Sequence, residues 1–228
     1  MFIGHFGLGM GIKKIAPQLS LGTLFMAVQF SDLIWPTLLL LGVEKIVLHP
    51  ELEGDRIIEF SSYPYTHSLL GAFILAVLFG AVHYAIKKNG RNALILGVAV
   101  LSHWFLDLIV HFHDLPLVPG SSVKVGFSLW ASVGGTLFAE FTLFISGIVL
   151  YLRSTKPLNK KARIIFWVNI GLLLAVQLSN FWGPAPTSIT ALAWSAQFQW
   201  LFVILGYWAD RNTEPVPQES RYQQVSPV

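Results

Sequence analysis

Residues 92–112 read NALILGVAVLSHWFLDLIVHF. The run carries no Lys or Arg, and a bilayer core of about 30 Å is crossed by about 20 apolar residues of helix. It therefore predicts a membrane span, and it holds two histidines and an aspartate inside that span. Five further runs have the same character, at 19–43, 66–86, 128–152, 162–182 and 188–209. The apolar stretch 1–16 is shorter. It is expected either as a thin, tilted span or as a re-entrant piece held against the bundle. Gly7 and Gly11 give it the spacing that lets helices approach closely. The fold class is all-α: an integral membrane bundle of six spans plus a short N-terminal helix.

Composition agrees. The 228 residues are 54% hydrophobic and only 12% charged, half the charge of a soluble domain, about 25%. There is no cysteine, which excludes disulfides, thiolate metal sites and a cysteine nucleophile. The basic residues set the topology. Lys13, Lys14, Lys87, Lys88, Arg91, Arg153, Lys156, Lys160, Lys161, Arg163, Arg211 and Arg221 share one side if six spans alternate. Only Lys45, Arg56 and Lys124 fall on the other. This bias orients the first side inward, with loops 44–65, 113–127 and 183–186 extracytoplasmic and the C-terminus cytoplasmic. The charge is thus a topology device and argues against nucleic-acid binding. The expected location is the inner (plasma) membrane, multi-pass. Residues 1–211 form the transmembrane domain, and 212–228, polar and proline-bearing, are expected to be a disordered cytoplasmic tail.

Ionisable groups at bilayer depth cost at least about 2.5–3.5 kcal/mol each on insertion scales, so their default reading is functional. His103, Asp107 and His111 follow i, i+4, i+8 spacing and form one stripe on a helix, which Asp114 would continue. His67 opens the second span, Asp32 lies mid-way along the first, and His5 lies in the short N-terminal run. These residues can all be placed in the outer half of one bundle. Histidine and carboxylate are ligands for zinc, manganese or iron, and such a site can lower the pKa of bound water to about 7. Glu140, central in the fourth span, reads equally as a proton-carrying group or a helix–helix tie. His83 reads as a packing residue and His49 as a solvated loop residue. The tryptophans read as an interfacial belt, with a lipid-binding groove as the sharper alternative. Asn169, Gln177, Asn180, Gln197 and Gln199 could bond across the last two spans or line an aqueous path.

His5, Asp32, the Thr66-His67-Ser68 triplet opening a helix and the Ser102-His103-x-x-x-Asp107 helix together resemble the predicted membrane-bound metal-dependent hydrolases, the YdjM-like group. The resemblance covers roughly residues 1–115. It implies a helical membrane protein with a His/Asp metal site. The family's triplet is usually preceded by H-R-x-x, and here Ser62-Tyr63-Pro64-Tyr65 stand in that place.

The leading expectation is a hydrolase that holds a divalent metal, zinc or manganese, on His5, Asp32, His67, His103 and Asp107. His111, Asp114 and Glu140 are its proton-transfer candidates. Its substrate would be a membrane lipid or small lipid-like ester or phosphoester, met from the extracytoplasmic side. Homo-oligomerisation is left open. Two other classes fit the same residues. A proton- or metal-coupled transporter would continue the polar residues to the cytoplasmic face, and a non-catalytic scaffold would use them only to tie helices.

Overall fold

A computed structural model of the chain describes residues 1–49 and 57–216. Residues 50–56 of the expected 44–65 loop, with Arg56, and the tail from residue 217, with Arg221, lie outside the described residues. Among the described residues, five helices are long and apolar enough to cross a membrane: α4 (Leu69–Lys87), α5 (Gly90–Val110), α6 (Val133–Ser154), α7 (Lys160–Trp182) and the run Ile189–Asp210. That last run comprises α8 (Ile189–Ala196) and α9 (Gln199–Asp210). A sixth span is broken. Its halves α2 (Leu21–Val28) and α3 (Phe30–Leu40) meet at Gln29 with a bend of 57°. The sequence predicts one apolar span over 19–43 and marks no break in it. Side-chain oxygens cap the starts: Ser68 on α4, Asn89 on α5, Ser132 on α6 and Asn159 on α7 each accept an amide from the first turn, as N-cap residues do. The outward faces keep large apolar side chains, such as Phe73, Ile74, Val77 and Leu78 on α4. In water such a surface would be a liability, and in lipid it is the required one.

The first residues form helix α1 (Ile3–Ile12). Its 10 residues span about 15 Å at 1.5 Å each, half the hydrocarbon core. It is a half-depth helix inside the bundle, with Ile3, Phe6 and Met10 fully buried. It packs closest on α6. A Cβ on Gly147 would overlap the backbone of Gly7, so the two glycines let the backbones touch. Gly11 makes no such approach: a Cβ there would meet only a Leu150 methyl at 3.4 Å.

The basic residues gather at one end of the bundle. There Lys13 is buried, with Nζ donating to Asp210 (2.8 Å) and to the Leu19 (2.9 Å) and Pro17 (3.1 Å) carbonyls. The first residues of the expected disordered tail are ordered at this end: β6 (Thr213–Pro215) pairs antiparallel with β5 (Thr155–Pro157). The Thr213 hydroxyl donates to Asp210, which fixes the turn that starts the strand. At the opposite end, β1 (Lys45–Leu48) pairs with β2 (Ile58–Ser62), and β3 (Leu115–Pro116) with β4 (Lys124–Val125). These two ribbons cover the half of the bundle that carries the histidines.

Candidate metal centre

Four elements deliver the cluster. His5 comes from α1, and Asp32 from the first turn of α3 just past the break. His67 comes from the residues ahead of α4, and His103 and Asp107 lie one turn apart on α5. Asp32, His67 and His103 have ligand atoms within 4.8 Å of one another, as do His5, His103 and Asp107. His67 Nε2 lies 3.2 Å from Asp32 Oδ1 and 3.8 Å from Asp107 Oδ2. His103 Nε2 lies 3.5 Å from Asp32 Oδ1 and 3.1 Å from Asp107 Oδ2. Four ligands in a tetrahedron about zinc, at about 2.0–2.2 Å, stand roughly 3.3–3.6 Å apart. The four imidazole–carboxylate separations straddle that range, and the two groups of ligand atoms share His103. His5 stands on the other side of Asp107, with Nε2 3.1 Å from Oδ1 and its ring stacked on His103 at 4.0 Å. The Met1 amino group shares that oxygen at 2.7 Å.

The imidazole tautomers follow from their outer partners. His103 Nδ1 is 2.8 Å from the Val28 carbonyl at the helix break, and a carbonyl only accepts. His67 Nδ1 is 2.7 Å from Thr66 Oγ1, whose own hydroxyl donates to Glu44 Oε2 at 2.7 Å. His111 Nδ1 is 3.0 Å from Asp114 Oδ1. Each Nδ1 must therefore carry the proton. In the neutral form His67, His103 and His111 would turn bare Nε2 lone pairs toward carboxylate oxygens, whereas an imidazolium would donate to them, as the 3.2 Å contact of His67 Nε2 with Asp32 Oδ1 allows. His103 Nε2 is buried and has no hydrogen-bond partner despite its 3.1 Å approach to Asp107. Acceptor facing acceptor in a buried site is unfavourable unless a metal ion lies between them or Nε2 is itself protonated. One divalent ion would balance the two carboxylates, and the outer partners are of the kind that orient metal-bound imidazoles.

Glu44, buried in the α3–β1 connection, was not singled out from the sequence. It accepts from the amides of Tyr65 (2.9 Å) and Thr66 (3.0 Å) as well as from the Thr66 hydroxyl. The only sequence signal was an acid directly after a long apolar run. Ser68 completes the triplet as the α4 cap.

His111 is placed differently from the expected stripe. Helix α5 ends at Val110, and His111 has already turned out of helical geometry (ψ 148°). Asp114 reaches it through a turn instead of along a helix face. His111 Nε2 lies 3.9 Å from Asp107 Oδ2, and Trp130 covers its ring at 4.1 Å. Trp130 is thus a wall of the site as well as an aromatic near a span end. Tyr63 packs beside His67 and His111. Burial, with Asp114 nearby, pushes its hydroxyl well above the usual phenol range, so it stays neutral. Glu140 accepts from the Phe2 amide (2.8 and 3.1 Å) and the Gly4 amide (2.8 Å). Its carboxylate satisfies the start of α1 and so fixes His5. His113 is exposed, and His83 lies far along α4.

A cavity of about 680 Å³ opens beside the cluster and is lined in part by Asp32, His67, Asp107 and His111. Gln177, Asn180 and Gln199 reach it, while Asn169 donates across to the Phe202 carbonyl and Gln197 to the Thr37 hydroxyl. Asn169 thus bonds across the last two spans, whereas Gln197 and Gln199 bond to the broken span at Thr37 and Gln29.

No protein-family model, curated protein or solved structure matches the chain. The site has to be read from its own geometry.

Proposed function

We propose that this chain is a multi-pass membrane hydrolase that holds one divalent metal, zinc or manganese, among Asp32, His67, His103 and Asp107. The carrying observation is the convergence of two imidazoles and two carboxylates, with His67 and His103 Nε2 standing 3.2, 3.8, 3.5 and 3.1 Å from oxygens of Asp32 and Asp107. In this reading the chain is a divergent member of the YdjM-like group, set in the plasma membrane. Its basic end and C-terminus are cytoplasmic, and its cluster lies in the extracytoplasmic half. The substrate is a membrane-associated ester or phosphoester. A metal there supplies Lewis-acid polarisation and a water of lowered pKa. Asp32, with 20% of its side chain exposed, borders the cavity and marks the side open to substrate. The His111–Asp114 pair has the form of a general base: the carboxylate holds Nδ1–H, and Nε2 is free to take a proton from water. His5 and the Met1 amino group orient Asp107 from its other oxygen.

A transport path is less well supported. Between the cluster and the basic end the interior is filled by Phe6, Met10, Leu21 and Phe25, and closed by the Lys13–Asp210 pair. Elemental analysis of the purified protein tests the metal reading. One metal per chain is expected, lost in both His103→Ala and Asp107→Ala. Wild-type protein without metal, or variants that retain it tightly, refutes the reading.

A further inference from the structure

Three features of the cavity bear on what enters it. Its walls are largely carbon, with Ile58, Phe60, Trp130, Leu192, Phe198 and Phe202 among them. Its volume, about 680 Å³, lies inside the roughly 300–1,000 Å³ range of small-molecule sites. Among the described lining residues there is no Lys or Arg. The one cation is the Met1 amino group, already engaged with Asp107 at 2.7 Å. Asp32, Asp107 and Glu140 line the same space. Phosphoryl groups are commonly held by Arg or Lys, which match their charge, and among the described residues neither faces this cavity.

Gln177 points the same way. It is 1% exposed, lines the cavity, and its Oε1 has no partner. A buried carbonyl oxygen left unpaired is costly, and a neutral N–H or O–H donor on a ligand would satisfy it. Ser179, Asn180 and Gly183, also lining residues, are exposed at the outer end of α7, so the cavity has a mouth on the surface at that level.

We propose, building on the hydrolase reading, that the substrate is an uncharged carboxylic ester or amide whose single long apolar chain lies in this cavity. Its carbonyl sits at the His/Asp cluster and a neutral donor of its head group faces Gln177. In the reaction the oxygen of water bonds to the carbonyl carbon while His111 Nε2 takes one of its protons. The bond from that carbon to the ester oxygen or amide nitrogen breaks. The departing atom keeps the electron pair and receives the proton from His111. The products are a carboxylic acid and an alcohol or amine, and water is the only co-reactant.

The test is binding of two probes of equal chain length, dodecanamide and dodecyl phosphate, to the zinc-loaded full chain in nanodiscs, read by tryptophan fluorescence. Phosphate is the stronger zinc ligand, so the comparison is weighted against the proposal. Dodecanamide is expected to bind at least tenfold tighter. Hexanamide is expected to bind at least tenfold more weakly than dodecanamide. Ala196→Trp, which fills the cavity from α8, should erase that chain-length gain while metal content stays at one per chain. Gln177→Leu should weaken dodecanamide by several-fold and leave dodecyl phosphate unchanged. Equal or tighter binding of dodecyl phosphate, or no dependence on chain length, overturns the proposal while the metal reading stands. A wild-type chain that takes up no zinc overturns both.

Discussion

Thr66→Val isolates the relay from Glu44 through Thr66 to His67. Valine has nearly the same shape but no hydroxyl. It leaves His67 Nδ1–H without the oxygen now 2.7 Å away, and Glu44 Oε2 without its O–H donor at 2.7 Å. Glu44 Oε1 keeps the Tyr65 and Thr66 amides, so the carboxylate stays in place. A hydrogen bond to a charged group contributes about 1.5–3 kcal/mol, and loss of an outer partner of a metal-bound imidazole costs about 10–100-fold in metal affinity. The two figures agree, since tenfold is about 1.4 kcal/mol. Thr66→Val should therefore weaken zinc binding by about 10–100-fold, measured by competition with a chelating dye on detergent-purified protein. Thr66→Ser, which keeps the hydroxyl, should restore most of the loss. A Thr66→Val protein that binds zinc within about threefold of wild type would refute the relay.

Two further outcomes follow from the packing. Lys13→Met leaves Asp210 buried without its cation and should destabilise the protein by about 3 kcal/mol in denaturant titrations, as breaking a buried pair does; Lys13→Met with Asp210→Asn should recover part of this, and a single-variant cost below about 1 kcal/mol would contradict the buried-pair account. Gly147→Leu must force α6 off the Gly7 backbone and should lower thermal stability by more than about 3 kcal/mol, whereas Gly171→Leu, with nothing within 4 Å, should be neutral or stabilising. Equal effects at the two glycines would argue against the α1–α6 contact.

The spans were legible because about 20 apolar residues in a row have few other uses, and the span limits agree with α4 to α9 to within a few residues. The break at Gln29 was not legible. Neither Gly nor Pro stands there, and Pro36 lies well inside α3. His103 and Asp107 could be placed on one face from spacing alone, because a helix fixes that geometry. The partnership of His111 and Asp114 could be guessed, but its route could not, since it depends on where α5 stops. Glu44 and the Val28 carbonyl were invisible for a common reason. Each acts through a tertiary contact to an imidazole, and neither a loop acid nor a backbone carbonyl leaves a periodic trace in the sequence. The order at Thr213–Pro215 was missed likewise, because three polar residues acquire a strand only by meeting Thr155–Pro157.

The four converging candidate ligands come from distant stretches of chain, with Asp32 and His67 separated by 35 positions. An ion gripping all of them would act as a staple, tying the bent span to the two helices that follow it and shortening the loops open to the unfolded chain. A polypeptide without cysteine has no covalent way to make such a tie. This fastening would hold equally on the oxidising and the reducing side of a membrane, and it would come undone with a chelator rather than a reductant.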